Sequence, residues 1–345
     1  MKSEEELARA LRTIGERAEV LDLLPRVAER RRRRRARRAR AALAAVCAVV
    51  LGWSVVALWP ARQAPVIGTP EPVTAVERMW PRAVFTMPGR YRPLAAIDAT
   101  RVLVTAEPGT IEVYDSATGR SRTVVTLPDL RHRVAASGAW VVWMDDEEVG
   151  FAPTDGTGEA GRQRLPDGDD VDRMEIAGDE VVWSAPLDGV WRMSLPGGTI
   201  ERVPGSDGLQ LAAWPWATDE PLDIRTNPTR LVNLETGETV RIRPARGVEG
   251  LRCGPTWCLG VRDGDAVVQR IDGSQARVQP ELGGQVGSYP YADRFFDGSA
   301  VYDAAAGVLV PIESDEWSSG PGVVAWEARG GGVRVLNLAA IPPAR

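Results

Sequence analysis

The chain has 345 residues, enough for one large domain or two ordinary ones, and its apolar fraction of 44% is normal for a globular core. The formal net charge of −5 hides an asymmetry: residues 1–60 carry 14 basic and 7 acidic side chains, residues 61–345 carry 28 basic and 40 acidic. An acidic body argues against nucleic acid as its partner, because neutralising phosphates takes clustered Lys and Arg. With Lys2 as the sole lysine, Schiff-base and Ser-x-x-Lys chemistry are excluded from the body.

Residues 1–29 form a short head. Ser3-Glu4-Glu5-Glu6 fits a capping box, in which the Ser hydroxyl accepts from the N3 amide and the Glu reaches back. Leu7, Leu11, Ile14, Ala18 and Leu21 follow at spacings of 4, 3, 4 and 3, the a/d stripe of an amphipathic helix that Pro25 ends. That stripe can pair with itself, with a cytoplasmic partner, or with the bilayer surface.

Nine of the eleven residues from Arg30 to Arg40 are arginine, and residues 41–59 (AALAAVCAVVLGWSVVALW) carry no charge. At 1.5 Å per residue this stretch spans about 28 Å, close to the roughly 30 Å hydrocarbon core of a bilayer. The arginine run on its N-terminal side predicts a single span through the lipid bilayer, with the head in the cytoplasm and the body outside. A 40-residue lead and Trp59-Pro60 do not fit a cleaved signal peptide. Cys47 falls mid-span. A short head before an arginine run and one span resembles bacterial anti-sigma regulators, although this head has neither the His nor the Cys pair of their zinc-binding form. The near-total replacement of lysine by arginine, with abundant Ala, Gly and Pro, suits a high-GC bacterial genome.

Residues 60–76, rich in Pro and Ala, read as a stiff linker, and 77–345 as one extracytoplasmic domain. Within it, pairs of short strands around a Gly-containing turn recur at 111–125, 191–203, 231–242, 267–278 and 300–312. A second unit, a short strand, a Gly turn and a β-branched run closed by Trp, ends at Trp143, Trp183 and Trp326. Joined, the two units make four strands per repeat. Pro88, Pro128, Pro166, Pro204, Pro244, Pro280 and Pro311 close the fourth strands at intervals of 31–40 residues, the spacing of propeller blades.

The last repeat, from Trp317 to Leu338, holds only three strands, and Ala83–Met87 is a fourth strand without its first three. Together they complete one blade, giving an all-β, seven-bladed propeller closed by strand exchange; a six-bladed ring is the alternative. Blade four departs most, since Trp214-Pro215-Trp216 interrupts its pattern. The body resembles bacterial WD40-like and TolB-like propellers over about 260 residues, without the WD dipeptide.

Candidate chemistry is sparse. A Ser-His-Asp triad would have to use His132, the sole histidine, and no G-x-S-x-G elbow accompanies it. Asp167, Asp169, Asp170 and Asp172 make an oxygen-rich, calcium-like loop, but the sixth and twelfth EF-hand positions hold Asp172 and Gly178 instead of Gly and Glu. Asp145-Asp146-Glu147-Glu148 reads as a solvated hairpin turn. Cys253 and Cys258 flank a Gly-Pro turn between the first two strands of blade five and predict a disulfide. No catalytic residue or cofactor is assigned. The leading expectation is a non-enzymatic module that binds or senses an extracytoplasmic protein or small ligand. Two rival expectations stand beside it: a membrane-tethered, anti-sigma-like regulator acting through the head, and a hydrolase or lactonase with a metal in the central channel.

Overall fold

The computed structural model describes residues 74–344, apart from 107–108, 128–132, 146, 167–170, 186–187, 222, 284–288 and 329–330. The head stripe, the arginine run, Cys47 and the expected span at 41–59 lie outside the described residues. Among the described residues no helix is long and apolar enough to cross a membrane.

The strands form seven antiparallel sheets, each a blade of a propeller. Blades one to five occupy residues 92–126, 133–164, 173–202, 210–241 and 249–278, each with four strands in chain order. Blade six, residues 295–311, has three strands among the described residues. Blade seven joins Trp317–Gly320, Val323–Glu327 and Val333–Asn337 to the distant strand Val84–Met87.

The sequence forms blades because second strands such as Trp140–Met144 and Glu180–Ala185 are apolar on both faces, and a strand inside a propeller is covered on both. The buried apolar side chains fall into seven clusters, and each cluster joins two neighbouring blades. Alternation along a strand decides the seam. Val102 and Val104 face blade seven, whereas Leu103 between them faces blade two. The recurring Trp always packs toward the preceding blade: Trp143 on blade one, Trp183 on blade two and Trp326 on blade six. Gly150 lies directly opposite Trp143, and a Cβ there would come within 2.1 Å of the indole, so only glycine admits the ring.

Closure follows the strand count read from the sequence. Val84, Phe85, Thr86 and Met87 pair with Leu336, Val335, Arg334 and Val333. Seven seams for seven blades make the ring complete and leave no face without a neighbour.

The expected linker, 60–76, ends too late. Thr74 caps a helix at Ala75–Met79: its hydroxyl accepts from the Glu77 amide at 3.2 Å, and the Glu77 carboxylate accepts from the Thr74 amide at 2.8 Å. Val76 is fully buried between blades six and seven, and Glu77 forms an ion pair with Arg334 of blade seven. Thr74 to Met79 therefore belong to the propeller, and the short Thr-x-x-Glu box that starts them is masked by the surrounding Pro-rich composition. The hairpin Glu148–Pro153 with Gly161–Arg164 in blade two also escapes the sequence pattern, because seven residues separate its strands. In blade four, Trp214-Pro215 is the turn between the first two strands, and Trp216 opens the second.

Opposed residues on neighbouring antiparallel strands lie about 5 Å apart. Thr86→Cys combined with Arg334→Cys should therefore form a crosslink on mild oxidation, joining the two ends of the body on a gel after proteolysis. A folded protein that keeps both thiols free would place the 84–87 strand elsewhere and open the ring.

Candidate functional site

In the six blades whose four strands are described, the first strand lines the central channel. It begins on the ring face that also carries the turns between second and third strands, called the upper face here. In blades one, two and three the first residue is arginine: Arg92, Arg133 and Arg173, opposite Thr105, Met144 and Ser184 of the second strand. Blade four begins with Gln210 and blade five with Glu249. In blade seven the strand opens with Trp317, and Glu316 precedes it.

Where blade seven meets blade one, the upper face opens into a cleft of about 500 Å³. Tyr91, Pro93, Leu94, Trp317 and Trp326 line it, with Arg92 on the blade-one side and Glu316 and Glu327 on the blade-seven side; Trp317 and Trp326 also pack into the seam with blade six, and Leu94 into the seam with blade two. Its floor is fixed. The Tyr91 hydroxyl lies 2.8 Å from Ser121 Oγ and accepts from Arg90 at 2.7 Å, and the two rings of Tyr91 and Tyr114 pack with centroids 5.5 Å apart.

Deeper in the ring the polar groups are committed to one another. The Arg173 guanidinium of blade three sits 3.9 Å above the ring of Tyr289, on the segment leading into blade six, so this contact crosses the channel. Tyr289 donates to Glu220, which forms an ion pair with Arg252 of blade five at 2.6 Å; both charged side chains are nearly buried. Burial first, and the Glu220 charge second, raise the Tyr289 phenol well above its usual pKa, so it stays a donor. Glu175 faces Arg173 at 3.5 Å and accepts from the Trp214 amide at 3.0 Å. Arg225 and Asn227 lie along the first strand of blade five: Gly250 donates to the Arg225 carbonyl, Leu251 to Asn227 Oδ1, and Asn227 Nδ2 to the Val248 carbonyl. Asp297 is held above the usual carboxylate range by burial, opposed by a hydrogen bond from Ser319 of blade seven.

Removing one partner from a buried ion pair leaves the other charge uncompensated, at a cost of about 3–5 kcal/mol, whereas replacing both with apolar groups is often neutral. Arg252→Met should therefore lower the melting temperature strongly, and adding Glu220→Leu should recover most of the loss. Equal melting temperatures for the single variant and the parent would remove this network from the list of stabilising contacts.

Cys253 and Cys258 form the expected disulfide. They are directly opposed across the first hairpin of blade five and buried between blades four and five. Asp293 holds the same turn by accepting from the Thr256 and Trp257 amides at 3.0 and 3.1 Å. Loop-entropy arithmetic gives so short a ring roughly 2 kcal/mol of stabilisation. Since both sulfurs are shielded, the test is thiol counting in denaturant on the full chain. One thiol, Cys47, should react before reduction and three after it; three before reduction would eliminate the bridge.

The other expected site residues are not brought together. Asp167, Asp169, Asp170 and His132 lie outside the described residues, and Asp172 donates its backbone amide to the Ser184 carbonyl. Asp145 accepts from the Glu147 and Glu148 amides at 2.8 and 2.7 Å. Among the described residues no three His, Cys, Asp or Glu side chains are placed to hold a metal ion. The arginine arc escapes the sequence reading, yet a signal is present: Arg92, Arg133 and Arg173 recur at the blade interval, 41 and 40 residues apart.

No protein-family model matches the chain, and no curated protein does. Solved structures do. An oligogalacturonate lyase in complex with manganese aligns at 12% identity and a TM-score of 0.47, over 74% of this chain and 90% of that one. YCF48 bound to D1 peptide aligns at 10% identity and 0.46, over 73% and 95%. The Cps50 (Swd1) β-propeller domain of Myceliophteria thermophila aligns at 11% identity and 0.46, over 74% and 99%. Resemblance at this level is one of fold alone, and the chain's own seven sheets, with the terminal strands paired in one blade, make it a seven-bladed β-propeller.

Proposed function

We propose that this chain is a membrane-anchored, extracytoplasmic β-propeller that binds a partner protein in the upper-face cleft between blades seven and one, without catalysing a reaction. The cleft carries the reading. It sets Trp317, Leu94 and Pro93 beside charged residues at both ends, and aromatic anchors with a polar rim are the composition of protein interfaces. Trp317 and Leu94 are only part-buried, whereas the channel groups below them are already paired to one another. The membrane anchor rests on the uncharged 41–59 stretch behind nine arginines.

A photo-crosslinking residue at Glu316, in the cleft, should capture a defined protein in intact cells, and Ser318→Arg, an exposed substitution that fills the cleft, should abolish the capture. The same residue at Ala305, on a turn of the opposite face, should not give that product. Identical products from both positions, or indifference to Ser318→Arg, would remove the cleft as the binding site. A cysteine at Ala305 should also react with a membrane-impermeant maleimide in intact cells; reaction only after lysis would reverse the orientation.

A further inference from the structure

We infer that the segment this cleft accepts is acidic: a bulky apolar side chain seated between Trp317 and Leu94, flanked by carboxylates that reach the arginines at the channel mouth. The inference rests on the cleft reading above and adds the charge of the partner. Three observations carry it.

The first is register. Arg92 and Arg133 occupy the same position in adjacent blades whose inner strands lie side by side, so their side chains rise from neighbouring points on one rim. Arg173 continues the arc in blade three but is already engaged by Glu175 and Tyr289.

The second is that Arg92 and Arg133 are exposed and have no ion-pair or hydrogen-bond partner among the described residues. The body carries 40 acidic side chains against 28 basic ones, and many of its arginines are paired, as Arg101 is with Asp98, Arg192 with Glu201, Arg202 with Asp207 and Arg294 with Asp303. Two neighbouring unpaired guanidinium groups at the edge of an apolar cleft are thus local positive charge on a molecule that otherwise repels acidic partners.

The third is polarity along the cleft. Within the cleft, Glu316 and Glu327 of blade seven stand across from Arg92 of blade one, and on the blade-two turn beyond Arg133 the Asp145 carboxylate is engaged by the Glu147 and Glu148 amides. Along the cleft a ligand's negative charge is therefore directed toward the Arg92 side, and its apolar anchor toward blade seven.

The probe is a fluorescent hexapeptide with two aspartates beside one leucine, compared with its twin carrying lysines, in anisotropy titrations with the full chain. The acidic peptide should bind about tenfold more tightly, and its binding should weaken as salt is raised. Arg92→Glu with Arg133→Glu, both at exposed positions, should leave the melting temperature unchanged and invert the preference. Ser318→Arg should block both peptides. Equal binding of the two peptides, still blocked by Ser318→Arg, would overturn the charge assignment and leave the cleft standing. Binding indifferent to Ser318→Arg, or no binding of either peptide, would overturn both.

Discussion

The pairing of Val84–Met87 with Val333–Asn337 is the contact on which the rest of the molecule depends. Seven blades can each bury both faces only if the last meets the first, and that meeting is made by two segments about 250 residues apart in the chain. The entropic cost of closing so long a loop grows only logarithmically with its length, so the ladder bonds and the apolar seam between blades seven and one offset it. The helix Ala75–Met79 reinforces the same place. Its Val76 fills the adjoining seam, and Glu77 balances Arg334 on the strand next to the exchanged one. Without this strand, blade seven would end in an unpaired edge, the usual template for aggregation.

Closure also divides the side chains into two populations. Positions on the blade faces meet another blade and are apolar; positions at the inner rim meet neither water in bulk nor a flat sheet, and there the chain places Arg173, Glu175, Glu220, Arg252 and Tyr289. Each charge in that set has an opposite charge or a donor within contact, which keeps the burial cost tolerable. Because the partners come from blades three, four, five and the approach to six, the network also fixes how those blades sit around the channel.

What the sequence discloses follows the range of the interactions. The blade count, the Trp strands, the closing prolines and the disulfide turn depend on near neighbours in the chain, and all are legible in the spacing of Trp143, Trp183, Trp326, Cys253 and Cys258. Ring closure, although long-range, is legible because a three-stranded end and an orphan fourth strand can only complete each other. The channel network is not. Nothing in the sequence around Arg173 announces Tyr289, or around Glu220 announces Arg252, since ring geometry alone brings them together. The Thr74–Glu77 box lies hidden in Pro-rich surroundings, and the blade-two hairpin behind its long turn.

In a fold built from near-identical units, recognition is encoded where the repeat is broken. The seam clusters repeat from blade to blade and so distinguish nothing. The upper rim does not repeat: three arginines give way to Gln210 and Glu249, and at the seam Trp317 with Glu316 stands where the pattern would set another arginine. This break coincides with the place where strand exchange makes blade seven a composite of both ends of the chain. The cleft opens at the inner edge of that blade, beside Trp317–Gly320, while the exchanged strand Val84–Met87 forms its outer edge, so the two edges of blade seven differ in role: one closes the ring and the other meets the channel mouth. If the cleft binds as proposed, substitutions in the seam interior act on binding and stability at once, while those at Arg92, Arg133 and Ser318, exposed on the rim, separate the two.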